Sequence, residues 1–171
     1  MRTKRCASPW LILAAACLAG PASAQSSGCR TTAFTDPPRE VLDCGDVSIS
    51  AEKGAAYRLV DGNRDGRPEA VELREKGVLI EVRRRPRSGF QVLTPHAVAS
   101  VRGTTYAVDV KAAGTAVFVQ TGRVGVTRAV GGQGAVLGAG DGVDVTAGGG
   151  PLVVKQWPPE RRLGLLARFG R

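Results

Sequence analysis

From Val47 onward, apolar and polar residues alternate in short runs separated by glycine-rich breaks. A period of two is that of a pleated strand with one buried face. The pattern predicts strands over 47–51, 56–60, 70–73, 78–82, 90–93 and 97–101. More follow over 106–110, 116–120, 123–127, 135–137, 142–145 and 152–156. Val, Thr and Ile dominate these runs, which suits a half-buried pleated surface. Gly103, Gly114, Gly122, Gly138, Gly140, Gly142 and Gly148 to Gly150 supply the breaks. Short strands at this spacing point to an all-β protein, a compact sandwich or roll of short antiparallel strands, not a parallel α/β sheet. Val117-x-Val119-x-x-Gly122-x-Val124-x-Val126 has an echo in Leu137-x-x-Gly140-x-x-Val143-x-Val145. A solenoid-like coil is the alternative this raises, but such coils normally need three repeats, so a roll is the better reading.

Both ends of the chain break the pattern. At the C-terminus, Pro158, Pro159 and Glu160 precede Leu163, Leu166 and Phe169 at helical spacing. Proline near the start and an acid in the first turn are helix N-terminal signals. One short helix within 158–171 is expected to dock its apolar stripe on the β-domain. A membrane-surface helix is the alternative, but so short a helix depends on tertiary packing.

At the N-terminus, residues 1–24 read as a secretory signal. Arg2, Lys4 and Arg5 form a charged start, Trp10 to Ala19 an apolar core, and Ala22-Ser23-Ala24 a cleavage site before Gln25. The apolar run is short for a membrane span, which needs about 20 residues. Cleavage before Cys17 for lipidation is disfavoured by Ala14 where a large aliphatic residue is usual. The expected address is periplasmic or secreted. Residues 25–45 are expected to be an irregular leader and 46–157 the β-domain.

Removal of the signal leaves one domain's length and two cysteines, Cys29 and Cys44. In an exported chain an even count points to a disulfide. Closing a loop of about 15 residues stabilises a fold by roughly 3 kcal/mol. The whole chain carries a formal net charge of +9, of which the signal contributes three cations and no acid. Outside the cytoplasm this excess suits solubility, anionic headgroups, acidic glycans or an acidic protein better than nucleic acid.

The richest stretch runs from Phe90 through Thr94-Pro95-His96-Ala97-Val98-Ala99-Ser100-Val101-Arg102-Gly103-Thr104. Pro95 ends a strand, because it cannot donate to a ladder. Val98 and Val101 fall on opposite faces of a regular strand, which implies a bulge or burial on both faces. Gly103 lets the chain bend, and Arg102 beside it is expected to bind backbone carbonyls. Together with the Val and Gly spacing of 117–126 and 137–145, the stretch resembles the FecR domain of bacterial cell envelopes. Thr94, Pro95, Val101, Arg102, Gly103 and Thr104 carry the signature, and the resemblance covers about residues 78–148. It implies a β-rich, non-enzymatic module for protein–protein interaction with an envelope partner, and a role in envelope signal sensing. FecR domains often sit on the periplasmic side of an anti-sigma protein and take a signal from an outer-membrane receptor. This chain shows no anti-sigma segment ahead of the domain and no membrane helix, so it resembles the stand-alone exported members.

Three other motifs carry candidate chemistry. Asp61-Gly-Asn63-Arg-Asp65-Gly66-Arg67-Pro68-x3-Glu72 fits the calcium-loop template. Asp61, Asn63, Asp65, the Arg67 carbonyl and Glu72 would be the ligands, with Gly66 at the sharp turn. Strand-like flanks and Pro68 favour a plain Asx-rich turn; binding of calcium or an anionic glycan is the alternative function. Arg83, Arg84, Arg85 and Arg87 form a basic loop suited to solvent or an anionic surface. His96, the single histidine, has Ser100 and Asp109 nearby in sequence, but no nucleophile elbow accompanies them. A lone histidine is also a poor zinc site.

Overall fold

A computed structural model describes residues 28–83 and 89–171. The signal sequence and the basic loop beyond Arg83 lie outside the described residues. The elements are β1 (Arg30–Thr35), β2 (Pro38–Asp43), β3 (Val47–Glu52), β4 (Ala56–Val60), β5 (Ala70–Val82), β6 (Phe90–Leu93), β7 (Ala97–Val101) and β8 (Thr105–Lys111). Then come β9 (Gly114–Thr121), β10 (Val124–Arg128), β11 (Gly134–Leu137), β12 (Asp141–Thr146), β13 (Lys155–Gln156) and the helix α1 (Pro159–Ala167).

The strands form two layers that share β5. One layer, sheet A, runs β1-β2-β3-β5-β8-β9-β12-β13; the other, sheet B, runs β4-β5-β6-β7-β10-β11. Pairing is antiparallel except between β5 and β6. The main core lies between the layers, with Ile49, Val71, Ile80, Val92, Tyr106, Val117, Val126 and Val145 among its members. The result is the expected all-β roll with one short terminal helix.

Strand β5 explains the largest departure from the expected strand list. The sequence reads as two strands, 70–73 and 78–82, because Arg74, Glu75 and Lys76 interrupt the apolar run. These three are exposed, yet the strand continues through them. In its first half the inward residues are Val71 and Leu73; in its second half they are Val78, Ile80 and Val82. A regular strand cannot place odd residues inside and then even ones. The change is made at a bulge: Tyr57 pairs with Leu73 and Ala56 with Glu75, so Arg74 is passed over. Lys76 then adopts a left-handed φ of 64°.

Other expectations change in detail. Within 25–45, residues 30–43 are no irregular leader but the hairpin β1–β2, paired from Arg30↔Asp43 to Thr35↔Pro38. Its threonines, which lent the segment its polar composition, are β-branched strand formers. The Cys29–Cys44 disulfide closes its open end. In β7, Ala97, Ala99 and Val101 face inward and Ser100 outward, a plain alternation with no bulge. Only Lys155–Gln156 of the expected 152–156 strand enters a ladder, while Leu152 and Val154 still pack on the core.

The helix α1 lies on the outer face of sheet A. Leu165, Leu166 and Phe169 pack with Leu79, Ala107, Phe118 and Trp157. Leu163, expected in the stripe, is 59% exposed, and Leu165 takes its place. Arg168 bonds to the sheet (below) and sets the helix rotation. Leu165 lies about 60° around the axis from Arg168, whereas Leu163 lies about 140° away. Two glycines of sheet A let the outer layer approach closely. A Cβ on Gly77 would meet Phe169 Cζ at 2.9 Å, and one on Gly142 would overlap the Trp157 indole. That indole stacks on Phe118 at 5.4 Å between ring centroids.

Gly142→Ala is expected to push Trp157 off the sheet and cost about 1–3 kcal/mol. Thermal melting should show the loss, and a red shift of Trp157 emission should accompany it. An unchanged emission maximum would mean that the indole does not rest on Gly142.

Candidate functional site

The signature residues fold into two turns at opposite ends of β7. In the first, the Thr94 hydroxyl accepts hydrogen bonds from the backbone N–H of His96 (3.3 Å) and Ala97 (2.9 Å). It also lies 2.9 Å from the Thr115 hydroxyl on β9. His96 Nδ1 approaches the same Thr115 hydroxyl at 3.1 Å. Thr115 is 1% exposed, so this polar knot ties the β6–β7 turn of sheet B to β9 of sheet A within the protein interior.

The second turn contains Arg102, Gly103 and Thr104. Gly103 takes a φ of 66°, the left-handed conformation that glycine adopts without strain. The buried Thr104 donates its hydroxyl to Arg123 O (3.1 Å), and its carbonyl accepts from Val82 N–H (2.9 Å). A Cβ on Gly122 would stand 2.9 Å from Gly103 O, so this turn and the β9–β10 turn are pressed together. Arg102 itself is exposed and makes no side-chain bond among the described residues. The expected capping of carbonyls falls instead to Arg128, which donates to Gly150 O (3.0 Å), Thr146 O (2.8 Å) and Gly148 O (2.6 Å).

The charged cluster with most contacts lies under α1. Arg168 donates to both carboxylate oxygens of Glu52 on β3 and to Asp109 on β8 (2.8 Å). Lys111 Nζ stands 3.6 Å from Asp109. Burial opposes ionisation of Asp109, but the Arg168 hydrogen bond and charge outweigh it and hold the carboxyl below the ordinary carboxylate range. Beside this clamp, Arg161 stacks on the Trp157 ring at 3.5 Å and bonds to Asp144 (2.9 Å). The cleft between helix and sheet measures about 320 Å³ and is lined by Asp109, Lys111, Asp144, Trp157, Arg161 and Arg168. Each of these charges already has a partner within the wall. Sequence reasoning missed the clamp, although an acid inside the apolar run 106–110 was a usable signal.

His96, Ser100 and Asp109 are not brought together as a catalytic triad. His96 turns to Thr115 on the inner face of sheet A, Asp109 is held by Arg168 on the outer face, and Ser100 is exposed at the far end of β7.

The 61–72 motif closes as a turn between β4 and β5. Asp61 accepts from Asp65 N–H (3.2 Å) and Gly66 N–H (2.8 Å), and Asp65 accepts from Arg67 N–H (2.8 Å). Gly66 takes a φ of 82°, and its carbonyl accepts from Gly28 N–H at 2.9 Å. Asn63 bonds to Asp65, whereas Glu72 is engaged on the sheet by Arg58 through two bonds of 2.6 Å. Among the described residues no group of three or more His, Cys, Asp or Glu is placed to hold a metal. Of the basic loop, Arg83 is described; it pairs with Asp43 (3.1 Å) and Glu81 (3.8 Å).

Residues 44–125 match the FecR protein family. The match starts at Cys44, well before the signature, and so takes in β3, β4 and β5. No curated protein matches the chain. Two crystal structures of a candidate anti-sigma factor from Parabacteroides distasonis share the fold. One has a TM-score of 0.62 at 20% identity over 81% of this chain; the other has 0.61 at 18% over 80%. In both cases the match spans 64% of the solved chain. Among the described residues no helix is long and apolar enough to cross a membrane.

Two outcomes are expected from these geometries. A depressed Asp109 adds stability that is full above its unfolded value near 3.8 and is lost as pH falls through the lower folded value. Arg168→Met should therefore lower stability at neutral pH by about 1–3 kcal/mol and flatten the acid limb of a melting-temperature profile. An acid limb identical to that of the wild type would remove the clamp from the account. Asp61→Ala should cost about 1 kcal/mol through the lost turn bonds, and millimolar calcium should move the melting temperature of neither protein. A calcium-induced rise in the wild type that is absent from the variant would restore the metal reading.

Proposed function

We propose that the chain is an exported, non-enzymatic regulatory module of the bacterial envelope that acts by binding another protein and takes part in signal sensing. The family match over residues 44–125 carries this reading. The fold likeness to a candidate anti-sigma factor supports a place in regulation. The polar side chains of the signature stretch support a binding role over a chemical one, since Thr94 and His96 bond to Thr115 of β9 and Thr104 to the backbone. Residues 1–24 are its export signal, and the site of action is the periplasm or beyond. The partner is an envelope protein, met along exposed strand edges and turns, where main-chain groups give affinity and flanking side chains give specificity.

Two measurements test the reading. Mass spectrometry of the protein recovered from the envelope fraction should find Gln25 as the first residue; retention of residues 1–24 in a cytoplasmic pool would refute export. A photo-crosslinking residue at position 102, 123 or 136, all exposed, should trap one defined envelope protein in living cells. Its absence at all three positions would count against the binding role.

A further inference from the structure

Strand β1 ends sheet A, and its position determines what can join it. All six of its residues are exposed, so among the described residues both faces as well as the outer edge are open. Its free edge can be read from the hydrogen bonds of its neighbours. Cys44 N–H donates to Val47 O and Lys53 N–H to Pro38 O, so the even-numbered residues of β2 turn their main-chain groups toward β3. In an antiparallel ladder the odd-numbered ones then turn toward β1. By register, Arg39, Val41 and Asp43 face Phe34, Thr32 and Arg30. That leaves Thr31, Ala33 and Thr35 with N–H and C=O groups aimed away from β2.

Natural edge strands are usually guarded by lysine, proline, an inward charge or a bulge. β1 has none of these, its one charge being Arg30 at the start, and its Thr and Phe residues favour strand pairing. We propose that β1 pairs antiparallel with β1 of a second copy, about a two-fold axis at Ala33, joining two copies of sheet A into one. In this register Ala33 faces Ala33, and Thr31 faces Thr35 of the second copy, so every outward N–H and C=O gains a partner. The intervening close pairs set Phe34 beside Thr32 and Arg30 beside Asp36 of the second copy, each twice. The Asp36 carboxylate is exposed and without a hydrogen-bond partner among the described residues, so the register meets an available acid with a base. Shifting the axis to Thr32 loses this charge match and leaves Thr35 beyond the partner's strand. One strand buries less than the roughly 1,000 Å² of a stable interface, so the dimer is weak and concentration-dependent. The inference stands apart from the identity of any envelope partner.

Sedimentation equilibrium up to about 1 mM reads the association. Ala33→Pro removes an N–H that β2 does not use. It should leave the melting temperature and circular dichroism unchanged while weakening dimerisation at least about tenfold. Asp36→Arg should weaken it as well, and adding Arg30→Glu should restore it, with melting curves confirming that each variant is folded. A wild-type protein that stays monomeric throughout overturns the proposal, and so does a dimer indifferent to Ala33→Pro or to the charge exchange.

Discussion

Strand β5 belongs to both sheets, and its inward side chains must change parity half-way along for it to do so. Val71 and Leu73 fill the core from one half, Val78, Ile80 and Val82 from the other. The exposed Arg74, Glu75 and Lys76 between them carry the bulge that makes the change. Much else depends on it. One half of β5 sits between β4 and β6 and the other between β3 and β8, so the angle between layers is set by covalent continuity and not by packing alone. A strand that held the alternation of Val71 and Leu73 would bury Glu75 and expose Ile80, and either would cost more than a displaced Arg74.

The signature residues are better understood in this frame. A roll whose layers share one strand needs fastening at its other rims. The Thr94–Thr115–His96 knot fastens one, and the Gly103–Thr104 turn against Gly122 and Arg123 fastens another. Hydroxyls suit this work, since threonine can give and accept a bond in one buried place. The family pattern therefore records how the layers are joined, and it leaves Arg102 on the surface to face whatever the protein meets.

Much of this was legible in the sequence because it is local. Period-two alternation located most strands, β4, β6 and β7 to the residue, and the cysteine pair marked the disulfide. What was not legible depends on parts distant in the chain. The hairpin β1–β2 was hidden because its residues alternate weakly and it buries almost nothing; register with β3, not hydrophobicity, defines it. The continuity of β5 was hidden because three charged residues read as a loop unless the two flanking sheets are known. The helix face was misjudged at Leu163 because its rotation is set by Glu52 and Asp109, which no helical periodicity can reveal. Of the calcium template the spacing was visible, but the capture of Glu72 by Arg58 was not, since that pairing follows from the β4–β5 register.

The ion pair between Arg168 and Glu52 joins residues separated by 116 positions. It brings a segment made after every strand of the domain against one of the earliest strands. Until α1 has emerged, Leu79 and Ala107 lack their helix partners on the outer face of sheet A. A nascent chain can thus assemble its inner core and still present an apolar outer face. Closure of the fold waits for α1, and the long-range contact that completes it belongs to the slow class of folding steps. The helix acts in this sense as a timer as well as a brace, keeping the outer face of sheet A unfinished until it docks.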